Sequence, residues 1–195
     1  MKIVLSFGRF QPPTIGHQLL IEKTLSTAKD HGSDYSIYVS KTQDNKNNPL
    51  TVEQKIKYLS LMFPDTKFTA CNDVVRTFIE SAKYLNNYYD ELIMVVGSDR
   101  VAVFDKVLHS YNGKEFNYRS IEVISSGIRD ADATDASGMS GTKMREFAVA
   151  NKFEEFYQGV PNTVSKEAAL ALMNDIKMGL LKPARKRVKC YYDNC

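Results

Sequence analysis

The sequence is poor in several features that mark particular protein classes. It has no tryptophan and only three cysteines in 195 residues, with no CxxC pair and no histidine at zinc spacing. Neither a disulfide framework nor a metal site built from protein ligands is indicated. No apolar run approaches the roughly 20 residues of a membrane span, and the N-terminus lacks the apolar region and cleavage site of a signal peptide. We therefore expect a cytoplasmic protein without a membrane segment.

Charge is unevenly distributed along the chain. The formal net charge is +3, but five basic residues between positions 182 and 189 account for it, and the rest of the chain is close to neutral. A generally basic nucleic-acid-binding surface is therefore not expected. The basic tail, residues 182–195, is interpreted as a solvated end, with contact to nucleic acid or an acidic partner as the alternative.

Five short apolar segments alternate with stretches of helical period. The candidate strands are residues 2–7, 35–40, 67–71, 91–97 and 120–125. Between them, apolar residues recur on one helical face at 52–63, 75–89 and 104–111, and a less clearly patterned helix is predicted at 16–31. This alternation predicts an α/β fold with a Rossmann-like, doubly wound, parallel five-stranded sheet. Ligands of such sheets bind beyond the carboxyl ends of the strands.

After Ser140 the pattern is helical only. Helices are predicted at about 141–151, 153–157 and 165–180, so the chain divides into an α/β domain (1–151), a C-terminal helical extension of that domain (152–181) and the basic tail (182–195). The last helix has an apolar stripe that is typical of a face packed on the body, with a homo-oligomer contact as the alternative. The stripe consists of Ala169, Leu172, Met173, Ile176 and Leu180.

The first loop after the first strand reads "GRFQPPTIGH", from Gly8 to His17. Glycine allows close approach of a ligand, and the two prolines stiffen the turn. The following helix would present free amides and positive potential at its N-terminus. Thr14 and His17 can donate hydrogen bonds to a phosphate, and Arg9 can add a charged contact. The loop therefore predicts a phosphate site.

Two further segments end at the same edge of the predicted sheet. "MSGTKMR" (139–145) offers Ser140 and Thr142 as caps of a helix, with Lys143 or Arg145 able to reach anionic oxygens. "VVGSDR" (95–100) follows the fourth strand, and its Asp99 could cap the next helix or contact a ligand.

"GRFQPPTIGH" resembles the (H/T)xGH motif of the nucleotidyltransferase superfamily, and "GRFQP" is especially similar to archaeal-type nicotinamide mononucleotide adenylyltransferases. "MSGTKMR" resembles the ISSTxxR element of the same superfamily. The resemblance covers residues 2 to about 151. Two positions depart from the usual motifs: Thr14 replaces the first histidine of the HxGH form, and Gly141 replaces a serine or threonine.

The resemblance implies a role for each matching residue. His17, Thr14 and Arg145 would be catalytic, with His17 and Thr14 on the α-phosphate and Arg145 on the triphosphate. The nucleotide would be bound by a larger set: Gly8, Arg9, Phe10, Gly16, Gly97, Asp99, Ser140, Thr142 and Lys143. Lys41, Arg100 and Arg129 are candidate contacts to the anionic substrate.

The resemblance also implies a reaction. AMP would pass from ATP to a phosphate acceptor, with nicotinamide mononucleotide the leading acceptor, giving NAD and pyrophosphate. Magnesium would be bound through the phosphates of the nucleotide. A cytidylyltransferase or another adenylyltransferase is the alternative reaction. Because the sequence is also similar to proteins encoded by large bacteriophages, a virion or assembly protein that keeps the fold as a binding module is an alternative of another class.

Overall fold

The computed structural model describes residues 1–127 and 138–181. In this part of the chain, five parallel strands form one sheet in the order β3-β2-β1-β4-β5. The central strands β1 and β4 are buried along most of their length because their apolar runs face both sides of the sheet. The predicted fold class is confirmed. The strands are β1 (Lys2–Gly8), β2 (Asp34–Val39), β3 (Thr69–Ala70), β4 (Glu91–Val96) and β5 (Ser120–Ser125).

Helices cover both faces of the sheet. The alternation of side chains along β1 explains how: Val4 shares a core with α1, whereas Ile3 and Leu5 share one with α3 and α4. α2 packs beside α1, against β2. The helices are α1 (Gln18–Asp30), α2 (Val52–Met62), α3 (Phe78–Leu85), α4 (Val101–Tyr111), α5 (Gly141–Val149), α6 (Phe153–Tyr157) and α7 (Lys166–Leu181).

The strand order places a switch point between β1 and β4. From β1 the chain winds outward through β2 to β3, and then returns to the other side of β1 to form β4 and β5. The loops that follow β1 and β4 therefore diverge at the carboxyl edge of the sheet and leave a crevice between them. This is where ligands bind in doubly wound sheets.

The last three helices form a further layer against α2. Tyr58 and Met62 of α2 are buried with Met144 of α5 and Phe156 of α6. Most of the predicted apolar stripe of α7 lies in the same core: Ala169, Leu172, Met173 and Ile176 are buried and Leu180 is partly buried. The hydroxyl of Tyr58 donates a hydrogen bond to Asp175 of α7 over 2.6 Å.

Two elements are shorter than the sequence pattern predicted. Only Thr69 and Ala70 pair with β2 where a strand was predicted over 67–71. α3 begins at Phe78 instead of near residue 75, because the Asn72 side chain accepts the N–H groups of residues 74 and 75 and holds them in a turn. Thr77 then starts the helix as its cap. The other predicted helices differ from the observed ones only at their ends.

No helix in the described part of the chain combines the length and the apolar character needed to cross a bilayer.

Candidate active site

A cavity of about 1000 Å³ opens at the carboxyl ends of β1 and β4. Four segments that are distant in the sequence line it: the first loop (residues 8–17), the second loop (residues 41–50), the turn after β4 (97–100) and the N-terminus of α5 (140–145). Residues from each predicted motif line this cavity. They are Gly8, Arg9, Phe10, Gly16, His17, Gly97, Asp99, Arg100, Ser140, Thr142 and Arg145.

Phe10 sets the shape of the first loop. It is buried, its backbone has a φ of 47°, and its ring lies 4.8 Å from the ring of His17. A Cβ atom on Gly8 would lie 2.4 Å from the Phe10 ring, closer than any packed side chain tolerates. Gly8 is thus required by the packing of Phe10, in addition to its place in the cavity wall.

Gln11 joins the first loop to the second. Its amide nitrogen donates to the carbonyl oxygens of Thr42 and Leu50, over 3.0 and 2.8 Å, and its oxygen accepts from the N–H of Leu50 over 3.0 Å. The two bonds to Leu50 are buried, where a fully satisfied amide adds rigidity. The sequence analysis did not predict this role, since the partners lie 31 and 39 residues away.

Thr14 orients His17. The backbone N–H of Thr14 donates to His17 Nδ1 over 3.1 Å, and the Thr14 hydroxyl oxygen lies 3.0 Å from the same nitrogen. Because Nδ1 accepts, the imidazole is neutral and its proton is on Nε2, where it can be donated to a phosphate oxygen. Thr14 is fully buried and its hydroxyl also donates to the carbonyl of Met139. Thr14 does not line the cavity. The sequence had predicted a direct contact between Thr14 and the phosphate.

The N-terminus of α5 meets the first loop. Ser140 caps the helix by accepting the N–H of Lys143, as predicted, whereas the hydroxyl of Thr142 accepts from Arg145 over 3.1 Å and caps nothing. Arg145 also donates to the carbonyl of Gln11 over 2.5 Å. A Cβ on Gly141 would lie 2.7 Å from that same carbonyl oxygen. The departure at Gly141 therefore has a structural reason, since only glycine allows this close approach.

Positive charge is concentrated where these two segments meet. Burial lowers the pKa of Arg145, and repulsion by Arg9 lowers it further, while Asp44 and Glu146 act more weakly in the opposite direction. A guanidinium stays charged in proteins, so an anion bound between the two groups would relieve this repulsion. With the exposed amides of the α5 N-terminus, this end of the cavity suits a phosphate chain.

The other end of the cavity is aromatic. Phe78 of α3 and Phe104 of α4 stack with ring centroids 4.3 Å apart, and both line the cavity with Phe7. The sequence analysis placed Phe78 and Phe104 only on helix packing faces. An apolar stripe on a helix does not indicate whether its first residue borders a cavity. The sequence analysis therefore did not identify these two side chains as part of the site.

The turn after β4 lies between the two ends. Ser98–Arg100 form a 3-10 turn, and α4 begins without a side-chain cap, so Asp99 does not cap it. Asp99 and Arg100 are exposed and paired at 3.7 Å. A Cβ on Gly97 would lie 2.9 Å from Oδ1 of Asp99, the end of an exposed side chain that can move aside.

Two predicted residues besides Thr14 do not line the cavity. Lys41 pairs with Asp73 over 2.6 Å, which ties the second loop to the turn after β3. Lys143 contributes its backbone N–H to the Ser140 cap but does not line the cavity. Arg129 lies outside the described residues, as do the basic tail and the neighbouring residues Asp130, Asp132 and Asp135.

The cavity fits a metal that is held mainly by a substrate. Among its described lining residues, Asp99 is the only carboxylate, and no group of three His, Cys, Asp or Glu side chains in the described ranges could hold an ion. The nearby carboxylate of Asp44 accepts the N–H groups of Lys46, Asn47 and Asn48. A magnesium ion here would take most of its ligands from phosphate oxygens and water, as is common for this ion.

The fold places this cavity, lined by Arg9, His17 and Arg145, at the switch point of a doubly wound α/β sheet. The family model described as "Cytidylyltransferase-like" matches residues 5–147. The chain therefore belongs to the cytidylyltransferase-like family. No curated protein matches the chain.

Two solved structures resemble the chain in fold. One is the Plasmodium falciparum nicotinic acid mononucleotide adenylyltransferase complexed with APC, with a TM-score of 0.54 and 12% identity, covering 89% of this chain and 97% of that one. The other is Thermotoga maritima TmcAL in its apo form, with a TM-score of 0.57 and 12% identity, covering 90% of this chain and 57% of that one. At this identity the likeness concerns the fold.

Proposed function

We propose that the protein transfers AMP from ATP to the phosphate of nicotinamide mononucleotide, giving NAD and pyrophosphate. The observation that carries this proposal is the meeting of the first loop with the N-terminus of α5. Arg145 donates to Gln11 O in the first loop, and Arg9 stands close enough to repel it. In this proposal the two positively charged segments, which lie 134 residues apart at that hydrogen bond, enclose one anion site.

The reaction is an in-line displacement at the α-phosphorus. An oxygen of the acceptor phosphate forms a bond to the α-phosphorus. At the same time the bond between the α-phosphorus and the oxygen that bridges it to the β-phosphorus breaks, and pyrophosphate leaves with the electron pair. His17 donates from Nε2 to an α-phosphate oxygen, and Thr14 keeps the ring in the tautomer that allows this. Arg145, Arg9 and the free amides at Gly141 and Thr142 hold the β- and γ-phosphates.

A bound magnesium ion would screen the charge of the triphosphate. The residues available to it are described above: Asp99 in the wall, and otherwise phosphate oxygens. The remaining catalytic contribution comes from positioning two anions against each other, which the protein provides through fixed donors.

The shape of the cavity supports two nucleotide-sized ligands. Its volume of about 1000 Å³ lies at the upper end of the range for small-molecule sites. The stacked Phe78 and Phe104 at the apolar end suit a planar ring such as nicotinamide. The similarity of "GRFQP" to archaeal-type nicotinamide mononucleotide adenylyltransferases favours the same acceptor. Transfer of CMP, or of AMP to another acceptor, is the alternative within the family.

A substrate panel tests the proposal. Pyrophosphate release is measured with ATP or CTP, each combined with nicotinamide mononucleotide, nicotinic acid mononucleotide or a simple phosphate monoester, with magnesium present. We expect release with ATP and nicotinamide mononucleotide together and none with either alone. Release only with CTP would replace the nucleotide, release only with another acceptor would replace the acceptor, and no release from any pair would contradict the transferase.

A further inference from the structure

Gln11 lies where the first and second loops meet. It lines the cavity but is only 6% exposed. Its side-chain amide has two N–H donors, which donate to the carbonyl oxygens of Thr42 and Leu50. Its oxygen Oε1 accepts the N–H of Leu50. Both donors are therefore used within the protein, and the side chain has no N–H left to donate to a ligand.

The three hydrogen bonds determine the orientation of this amide. The N–H of Leu50 needs an acceptor, and the two carbonyl oxygens need donors. A flipped amide would place its oxygen against both carbonyls and its nitrogen against an N–H. The bonds to Leu50 are buried, where unpaired groups are costly. The side chain is therefore held in one position.

The bonds of Gln11 hold both ends of one segment of the second loop, residues 42–50. At the first end, the neighbouring Lys41 also pairs with Asp73, but both side chains are exposed. Exposed ion pairs contribute little to stability. Gln11 is therefore the stronger of these two anchors at the Thr42 end.

The middle of this segment is a rigid turn. The N–H of Asp44 donates to Asn48 O over 2.8 Å, and the Asp44 carboxylate accepts three N–H groups, those of Lys46, Asn47 and Asn48. The N–H of Asn47 and the side-chain amide of Asn48 hold the pKa of Asp44 well below its usual range, so the carboxylate stays ionised. Asn47 and Asn48 line the cavity. A rigid turn between two held ends fixes this part of the wall.

The backbone of Gln11 has a different partner. Its carbonyl oxygen accepts a hydrogen bond from Arg145 over 2.5 Å, and this oxygen remains when the side chain is replaced. The side chain therefore acts on the second loop, whereas the backbone acts on the end of the cavity that carries Arg145. A substitution at position 11 separates the two effects.

We propose that Gln11 is a positioning residue whose side chain holds the second loop as the wall against which one of the two substrates binds. A wall that is already ordered reduces the entropy lost on binding. The inference rests on the proposed function for the existence of two substrates, ATP and the acceptor. It goes beyond that function by assigning substrate affinity to a side chain that donates to neither substrate.

Steady-state kinetics of the full-length chain test this role. Gln11→Met removes all three hydrogen bonds and keeps a side chain of similar size. Gln43→Met is the matched control, because Gln43 is exposed in the same loop and does not line the cavity. Pyrophosphate release gives kcat and the KM of each substrate. Calorimetry gives the dissociation constant of inorganic tripolyphosphate, and thermal unfolding reports on the fold.

We expect Gln11→Met to raise KM about tenfold for one substrate, because the wall must then be ordered on binding. KM for the other substrate and kcat should each change by less than about twofold. Tripolyphosphate should bind as it does to the wild type, because it probes the Arg145 end of the cavity. Gln43→Met should match the wild type in every measurement.

A second pair of variants loosens the same wall from within the loop. Asp44→Ala and Asp44→Asn both remove the charge of an exposed residue, but asparagine keeps an oxygen that can accept the N–H groups of the turn. We expect Asp44→Ala to raise the KM of the same substrate more than Asp44→Asn does. If Gln11→Met fails to fold, equal KM values in this pair overturn the inference, because order in the second loop would then not govern binding.

Further outcomes also overturn the inference. A folded Gln11→Met with a lower melting temperature and unchanged KM values has lost stability only, which means a structural role. Weaker binding of tripolyphosphate means that the side chain does not act on the second loop alone. A Gln43→Met variant with the same loss as Gln11→Met removes the special role of Gln11. A wild type that releases no pyrophosphate from any substrate pair overturns the proposed function, and this inference with it.

Discussion

At the scale of single residues, the backbone of the first loop decides the chemistry of His17. A main-chain N–H always donates, so its contact with Nδ1 leaves the ring proton on Nε2. No neighbouring carboxylate is needed to select this tautomer. The loop geometry around Thr14 is therefore part of the site, although Thr14 itself is buried.

Replacing His17 tests its role as the donor. We expect His17→Ala to lower the turnover number by about two to three orders of magnitude, the scale for removing one donor to a developing charge. The change is measured as steady-state pyrophosphate release. The control is His31→Ala, since His31 is exposed near Lys2 at the other end of the sheet. An enzyme indifferent to His17→Ala would remove His17 from the mechanism.

Lys55 is a buried titratable residue beneath the second loop. It is fully buried, and its ammonium group donates to the carbonyl and the hydroxyl of Ser40. Ser40 in turn donates its N–H to Gly8 O over 2.9 Å, which connects Lys55 to the start of the first loop. Burial lowers the pKa of Lys55 to about 8 from its ordinary value of 10.5.

This shift makes stability depend on pH in a defined direction. Between pH 8 and pH 10.5 the unfolded chain keeps a proton that the folded chain has released, so Lys55 makes the folded state more stable as pH rises, by up to about 1.4 kcal/mol per unit. The variant Lys55→Met lacks this dependence. In denaturant titrations, the free energy of unfolding of the wild type minus that of the variant should rise between pH 8 and pH 10. The Cys71 thiol, whose burial raises its pKa to about 11, is present in both chains. A difference that stays flat would show that the Lys55 pKa is not lowered.

Residues whose partners are close in sequence could be predicted, and residues whose partners are distant could not. The cap that Ser140 provides to the N–H of Lys143 spans three residues and is confirmed. The partners of Gln11 in the second loop, and of Gly141 in the first, are set by the tertiary fold. The sequence contained these residues within or beside recognised motifs, but nothing local specified their contacts.

At the scale of elements, the site depends on how closely α5 approaches the first loop. In the motif that this segment resembles, a serine or threonine is usual where this chain has Gly141. From the sequence alone, replacing Gly141 by serine would therefore seem harmless. The structure leads to the opposite expectation, because a Cβ there would lie 2.7 Å from Gln11 O.

We therefore expect Gly141→Ser to lower kcat/KM about tenfold or more. The added Cβ would push the N-terminus of α5 away from the first loop. A displacement of catalytic groups near 1 Å can lower the reaction rate by a factor of about 100. Val149→Ser is the control, since Val149 is exposed at the far end of the same helix. Steady-state kinetics measure both. Activity equal to the wild type in Gly141→Ser would contradict the close contact.

The contact of α7 with the second loop gives a similar prediction. Gly179→Ala should stabilise an isolated helix by up to about 1 kcal/mol, but the new Cβ would overlap Pro49. We expect no rise in the melting temperature, together with a KM about tenfold higher for one substrate. Asn174→Ala favours the helix in the same way at an exposed position, and should leave KM unchanged. A Gly179→Ala variant that is more stable and binds normally would show that Pro49 does not constrain the second loop.

At the scale of the whole molecule, the sheet and its switch point were predictable because they depend on a repeated pattern. Strands and helices alternate along the first 125 residues, and the handedness of the crossovers then restricts the topology. The layer formed by α5, α6 and α7 has no such repeat, and its position against α2 emerges only from the shared core around Tyr58 and Met144. Through Gly159, whose carbonyl accepts the N–H of Ile15 over 2.8 Å, this layer also holds the first loop.

The central claim is that the first loop and the α5 N-terminus together transfer a nucleotidyl group. The most direct measurement follows the phosphorus of ATP labelled at the α-phosphate, in the presence of nicotinamide mononucleotide and magnesium. The account predicts that the label is recovered in the dinucleotide product and that the released pyrophosphate is unlabelled. Label recovered only in ATP or free AMP, with no acceptor of the panel carrying it, would contradict the account.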